Sequence, residues 1–152
     1  MKRSILFLCT ANAIRSQIAH ALLESLSADF VVYSAGVTPV RTIDKLTFQT
    51  LREIGVDISS HRTSDIEEFR HVTLDILITM SATAYRDCPR WLYENEQLIC
   101  GHWGFEDISG RGAARFRELR DHIMLHLRAF LAEYRPELSR DELAALVRKF
   151  TR

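Results

Sequence analysis

The chain contains few cysteines, prolines and glycines, and it has no long hydrophobic run. Its 152 residues include 3 Cys, 3 Pro and 6 Gly. A small, odd number of cysteines argues against a disulfide framework and indicates a reducing compartment. No stretch approaches the roughly 20 consecutive apolar residues of a membrane span, and the apolar run over 5–8 is too short for a signal peptide. We therefore expect a cytoplasmic protein without a membrane partner.

An excess of charge is also missing. The 20 Lys and Arg balance 20 Asp and Glu. This balance argues against bulk electrostatic binding to nucleic acid but leaves room for a local anion site. A chain of this length, 47% hydrophobic, can bury a sufficient core without a disulfide or a metal. We expect a monomer or weak homodimer with no metal, no cofactor and no nucleic-acid partner.

The apolar pattern predicts strands that alternate with helices. Continuous apolar runs are typical of strands buried on both faces of a parallel sheet. Such runs occupy 4–8, 30–33, 74–79 and, more weakly, 97–100. Apolar residues at helical spacing occupy 18–26, 43–54 and 116–131, with a short helix near 64–69. We predict an α/β protein with a three-layer, doubly wound, four-stranded parallel sheet and ligands at the carboxyl ends of the strands.

The last part of the chain is predicted to be an extension of this domain. Pro136 ends the long helix, and Ser139 with Glu142 forms the capping box of a final helix over 139–150. We predict a domain over 1–135 and a helical extension over 136–152, which packs on the domain or on a partner subunit.

A short polar loop after the first predicted strand carries a cysteine and an arginine. Cys9 and Arg15 lie six residues apart, immediately before a helix. The N–H groups of such a loop and of the helix N-terminus form an anion site that also stabilises a thiolate. Arg15 can hold two oxygens of a tetrahedral oxyanion, and Ser16 can hydrogen-bond the thiolate. We predict that Cys9 is a catalytic nucleophile. The predicted oxyanion-binding loop consists of Thr10, Ala11, Asn12, Ala13 and Ile14.

Covalent catalysis at Cys9 also needs a proton donor for the leaving group and later a base for water. Glu106 and Asp107 lie in the loop that follows the fourth predicted strand. The carboxyl ends of parallel strands share one edge of the sheet, so either carboxyl group can reach the Cys9 loop.

Segments spread over most of the chain match one known pattern. They are Leu6–Thr10, Asn12, Arg15–Gln17, Tyr33–Gly36, Gly55–Ser59, Thr63–Ile66 and His102–Phe105. Together they resemble the low-molecular-weight protein tyrosine phosphatase superfamily, and the last three are most similar to its thioredoxin-coupled arsenate reductases. The resemblance, from about Ser4 to Leu131, implies the low-molecular-weight tyrosine phosphatase fold. It implies that Cys9 is the nucleophile, Arg15 the oxyanion binder and Asp107 the general acid. Asn12 and Ser16 would organise the loop.

The resemblance is incomplete at the cysteines. Reductases of this branch use three cysteines in sequence, and each is oxidised in turn. The position of the second cysteine corresponds here to Ser81, whose hydroxyl cannot form a disulfide. Cys88 matches the third and is a candidate resolving thiol if a loop brings its sulfur to Cys9. Otherwise an external reductant of the thioredoxin, glutaredoxin, glutathione or mycothiol type must complete the reduction. We expect Cys100 to be a small core residue.

Other positions depart from the pattern as well. Ala11 replaces a glycine and would strain the loop if its φ were positive. Ile14 replaces a second loop cysteine. Ile108 replaces a proline, which would leave Asp107 less rigidly placed. His20 stands where reductases with a structural potassium site carry an acid, so we expect no potassium dependence.

The residues leave three functions open. The first is arsenate reductase, and the second is a tyrosine phosphatase that hydrolyses phosphotyrosine through a phosphocysteine. The third is a non-catalytic oxyanion or redox sensor. An aryl phosphate needs aromatic walls. The candidate wall residues are Trp103, Phe105, Tyr85, Trp91 and Tyr93. His122 and His126 share a helix face but lack a third zinc ligand.

Overall fold

The computed structural model describes residues 2–152 and contains a four-stranded sheet. The strands are β1 (Arg3–Cys9), β2 (Phe30–Gly36), β3 (Ile76–Thr79) and β4 (Ile99–His102). They lie in the order β2-β1-β3-β4, and all pairings are parallel. The predicted doubly wound α/β fold is confirmed, although β4 begins two residues later than predicted.

Five α-helices connect and cover the strands within residues 2–152. They are α1 (Arg15–Leu26), α2 (Lys45–Arg52), α3 (Ala82–Arg86), α4 (Ala113–Glu133) and α5 (Arg140–Lys149). Short 3-10 helices span Ile66–Phe69 and Arg90–Glu94. None of the helices in the described part of the chain is long and apolar enough to cross a membrane.

Both faces of β1 are buried, and its side chains alternate between two cores. Ile5, Phe7 and Cys9 face the core that includes α1, α4 and α5. Leu6 and Leu8 face a smaller core that includes residues of α3 and both 3-10 helices. The three layers explain why this strand is a continuous apolar run in the sequence.

The parallel register brings several loops to one edge of the sheet. At the end of β1, Cys9 lies beside Gly36, and at the end of β3, Thr79 lies beside His102. The Cys9 loop, the start of α3 and the loop after β4 are therefore neighbours.

The C-terminal helix α5 packs on β4 of the same chain. The indole N–H of Trp103 donates to the carbonyl of Val147 at 3.3 Å. Beyond the helix, the N–H of Arg152 donates to the carbonyl of His102, and its guanidinium lies 4.0 Å from the centre of the Phe105 ring. The C-terminal segment therefore supports the loop that carries Asp107.

Candidate active site

The carbonyl groups of the Cys9 loop are held from outside by the segment that follows β2. The carbonyls of Cys9, Thr10 and Ala11 accept hydrogen bonds from the N–H groups of Val37, Thr38 and Val40, at 3.0, 2.9 and 3.2 Å. A peptide C=O and the next N–H point in opposite directions. The N–H groups after these carbonyls therefore face the inside of the loop, where an anion can accept from them.

Gly36 makes this close packing of β2 and the loop sterically possible. A Cβ atom added to Gly36 would lie 2.6 Å from the Thr10 carbonyl oxygen. In the sequence, Gly36 is only the last residue of the segment Tyr33–Gly36. Its role depends on the contact between β2 and the loop, which the sequence does not contain.

The positive φ of the loop occurs at Asn12 (φ 57°), and within residues 2–152 no other non-glycine residue has one. The predicted strain at Ala11 is therefore absent, because the left-handed conformation falls one residue later. Asn tolerates this conformation better than most side chains.

A hydrogen-bond chain leads from Asn12 to the nucleophile. The Asn12 amide Nδ2–H donates to Ser16 Oγ at 2.7 Å, and Ser16 Oγ lies 2.8 Å from Cys9 Sγ. Because Ser16 Oγ accepts from Asn12, its own proton is free to be donated to sulfur. The backbone N–H of Asn12 also donates to Cys9 Sγ at 3.3 Å. Both bonds stabilise a thiolate.

The N-terminus of α1 adds further donors. The residue before the helix, Ile14, makes no side-chain capping bond, so the first N–H groups of α1 remain available for an anion. Arg15 opens the helix, and its Nη1 donates to the Phe105 carbonyl at 3.0 Å. This bond positions the guanidinium and joins it to the loop after β4.

Asp107 reaches the same site. Its Oδ1 accepts from the hydroxyl of Ser109 at 2.6 Å and from the Ser109 N–H at 3.0 Å. These bonds, with the positive charge of Arg15, hold the pKa of Asp107 below its ordinary value. Ile108, which stands in place of a proline, is buried and packs in the larger core beside Asp107.

These groups surround a cavity of about 210 Å³. Its lining residues are Cys9, Thr10, Ala11, Ala13, Ile14, Arg15, Thr83, Asp107, Ile108 and Ser109. The structure thus brings the predicted nucleophile, oxyanion binder and acid into one space. Glu106, the other predicted acid, pairs instead with Arg115 at 3.3 Å.

None of the predicted aromatic wall residues lines this cavity. Trp103 and Phe105 are buried in the core. Tyr85 and Tyr93 line a separate cavity of about 520 Å³, and Trp91 donates to Glu67 at 2.6 Å. Trp103 and Phe105 are missing from the cavity because the 102–110 loop turns their side chains into the core.

The other cysteines lie away from Cys9. Ser81 caps α3 and lies 3.0 Å from the Thr10 hydroxyl, so the loop touches the position of the missing second cysteine. Cys88 packs against the core on the opposite face of the sheet and does not line the Cys9 cavity. Burial raises its pKa, an effect that a hydrogen bond with Tyr93 partly offsets. Cys100 is exposed rather than buried as predicted, because it lies on the edge strand β4.

Comparison with known proteins identifies the family. Residues 4–142 match the model of the low molecular weight phosphotyrosine protein phosphatase family. The chain therefore belongs to this family and is an enzyme of the superfamily that unites arsenate reductases and low-molecular-weight tyrosine phosphatases.

Several relatives are arsenate reductases. Arsenate reductase 1 of Staphylococcus saprophyticus is 34% identical over 85% of this chain and 96% of its own. Arsenate reductase 1 of Staphylococcus epidermidis is 31% identical over the same shares.

Solved structures show the same fold. An arsenate reductase in its phosphate-binding state has a TM-score of 0.73 at 25% identity, covering 86% of this chain and 98% of its own. A low-molecular-weight tyrosine phosphatase from T. tengcongensis has a TM-score of 0.72 at 20% identity, covering 88% of this chain and all of its own.

Proposed function

We propose that this protein is an arsenate reductase whose reaction is completed by an external thiol. The observation that carries the proposal is the cavity at Cys9, which holds about 210 Å³ and has no aromatic lining. Arsenate fits such a space, whereas an aryl phosphate requires walls for its ring. The arsenate reductases among the relatives, matched over 96% of their length, support the same assignment.

In the first step, the Cys9 thiolate attacks arsenic in line with a departing hydroxyl. The loop N–H groups and Arg15 bind the remaining oxygens. The As–O bond breaks, and the hydroxide leaves as water after it takes a proton. Asp107 is a carboxylate while the site is empty, because its pKa is lowered. Arsenate carries its own protons at neutral pH, and its negative charge raises the pKa of a neighbouring carboxyl group, so Asp107 can hold the transferred proton.

In the second step, an external thiol attacks the sulfur of Cys9. The As–S bond breaks, and its electron pair leaves with arsenic, which becomes arsenite. Cys9 remains as a mixed disulfide. A second thiol then releases Cys9, so two thiols supply the two electrons and leave as one disulfide. Two observations support an external thiol: Ser81 cannot form a disulfide, and Cys88 does not line the Cys9 cavity.

We propose that the reductant is glutathione, mycothiol or a glutaredoxin-type protein. We also propose that the protein acts in the cytoplasm, where thiols stay reduced.

Arsenite formation tests the proposed function. Purified protein is given arsenate with each thiol system in turn, thioredoxin included. We expect arsenite with glutathione, mycothiol or glutaredoxin, and none from Cys9→Ser. Absence of arsenite with every system would refute the proposal.

Hydrolysis of phosphotyrosine is the second candidate. Ser81 favours it, because a phosphatase needs no second cysteine, and Cys9, Arg15 and Asp107 suffice for a phosphocysteine. Reduced protein that leaves an aryl phosphate intact would exclude this candidate. The non-catalytic alternative rests on the departures at Ala11, Ile14 and Ile108, and the first is weakened because the positive φ lies at Asn12 instead of Ala11.

A further inference from the structure

A cluster of two histidines and a glutamate lies on the outer side of α1, away from the Cys9 cavity. His20 Nε2 lies 3.3 Å from Glu24 Oε1, and His61 Nε2 lies 3.9 Å from the same oxygen. One ligand atom from each of the three side chains lies within 4.8 Å of the others. His20 and Glu24 are four residues apart on one helix face, and His61 comes from the loop after α2.

The proton positions leave this cluster with facing acceptors. Gln17 Nε2 donates to the Asn12 and Arg62 carbonyls at 3.2 and 3.0 Å, so its Oε1 is the atom that faces His61. His61 Nδ1, 3.2 Å from that oxygen, must therefore carry a proton. In the neutral imidazole, Nε2 then presents a lone pair to the Glu24 carboxylate. Two acceptors that face each other at 3.9 Å would be satisfied by a cation bound between them.

We propose that His20, Glu24 and His61 bind a divalent metal ion of the zinc class. The ligand atoms would be the two Nε2 atoms and a Glu24 carboxylate oxygen, with a water as the fourth ligand. Zinc bonds of 2.0–2.1 Å place tetrahedral ligand atoms about 3.3 Å apart. The His20–Glu24 distance already has this value, and the His61–Glu24 distance of 3.9 Å would have to shorten slightly. Two imidazoles and one carboxylate suit zinc, whereas magnesium and calcium prefer oxygen ligands alone.

The surroundings of the cluster fit a metal site. The second ring nitrogen of each histidine has a partner, because His20 Nδ1 lies 2.9 Å from Ser34 Oγ and His61 Nδ1 bonds to Gln17. Such partners orient metal-bound histidines. Glu24 is half exposed, and it lines a surface cavity of about 300 Å³ together with His61, which offers an entry path.

The site is also joined to the nucleophile by hydrogen bonds. Gln17, bonded to His61, donates to Asn12 Oδ1 at 3.2 Å. Asn12 in turn donates a hydrogen bond to Ser16, whose hydroxyl is hydrogen-bonded to the Cys9 sulfur. A metal that fixes His61 would therefore restrain the chain that orients the thiolate. Metal binding itself does not depend on which reaction the protein catalyses.

Titration with zinc and cobalt tests the proposal. Metal-stripped protein without an affinity tag, carrying Cys9→Ser to remove the competing thiolate, is titrated by calorimetry with Zn²⁺ and by absorption with Co²⁺. We expect one equivalent to bind, with a cobalt spectrum that lacks thiolate charge-transfer bands. Bound metal should also raise the melting temperature.

Variants separate this site from adventitious binding. Glu24→Gln and His61→Gln should each weaken binding at least tenfold. His122→Gln changes an exposed histidine on α4 and should bind like the parent. Glu24 is half exposed, so its variant should fold. The proposal is overturned if the parent binds no stoichiometric metal, if cobalt reports thiolate ligation, or if the variants bind as tightly as the His122 control.

Discussion

Replacing Gly36 by alanine tests whether the Cys9 loop depends on close packing against β2. The added Cβ would lie 2.6 Å from the Thr10 carbonyl oxygen, whereas ordinary contacts begin at 3.4 Å. The loop must therefore retreat by roughly 0.8 Å, and it cannot do so without disturbing the Thr38 N–H bond to the same oxygen. Overpacking of this kind costs about 1–3 kcal/mol of stability.

The effect on activity should be larger than the effect on folding. A displacement of about 1 Å at a reacting group costs on the order of 100-fold in rate. We therefore expect Gly36→Ala to lower kcat/KM for arsenate by about 10- to 100-fold, while circular dichroism shows a folded protein with a lower melting temperature.

The matched control is Gly112→Ala. Gly112 precedes α4 with φ −80°, and an added Cβ there meets no atom within 4 Å. This variant should keep full activity, whatever its effect on the helix end. If Gly36→Ala is as active as Gly112→Ala, the loop does not depend on the contact with β2 and the reasoning fails.

Three further predictions concern the site. Ser16→Ala removes the hydroxyl that lies 2.8 Å from Cys9 Sγ. A charge-assisted hydrogen bond contributes roughly 1.5–3 kcal/mol, so alkylation of Cys9 should slow by about 10- to 100-fold. The control Ser25→Ala, on the same helix, should not change the rate. Ser109→Ala removes the main cause of the lowered Asp107 pKa, so that pKa should rise and the limb of the pH–rate profile that Asp107 controls should move to higher pH. A profile with both limbs unchanged would show that Asp107 controls neither. Near neutral pH, iodoacetamide should modify Cys9 first, with protection by phosphate. Burial raises the pKa of Cys88. Cys100 is exposed as a residue, but desolvation of its thiol and the neighbouring Cys88 raise its pKa to about 11. Peptide mass spectrometry showing Cys100 modified first would contradict this order.

The sequence was sufficient to predict which catalytic side chains meet, because their positions follow from where the strands end. Cys9, Arg15 and Asp107 meet because parallel strands end at one edge of the sheet, and that rule needs only the order of elements. The burial of β1 was also predictable from its continuous apolar run, since both of its faces pack against helices.

Features that depend on contacts between distant segments were not predictable in this way. Gly36 is required because β2 touches the loop, and the positive φ falls on Asn12 because of how the loop closes. Cys100 was predicted to be buried, but it is exposed because it lies on the edge strand β4, where it lines a cavity.

The histidine cluster shows the same limit. His20 and Glu24 are four apart on α1, and that spacing was visible in the sequence. The third member, His61, lies 41 positions beyond His20. Only the packing of its loop against α1 brings it within 3.9 Å of Glu24.

The central claim, that Cys9 reduces arsenate with an external thiol and without Cys88, is tested most directly by arsenite yield. Wild type, Cys9→Ser and Cys88→Ser are each supplied with arsenate and with glutathione, mycothiol or a glutaredoxin system, and arsenite is measured. We predict that Cys88→Ser retains wild-type turnover and that Cys9→Ser has none. Loss of arsenite formation in Cys88→Ser, or turnover by Cys9→Ser, would contradict the claim.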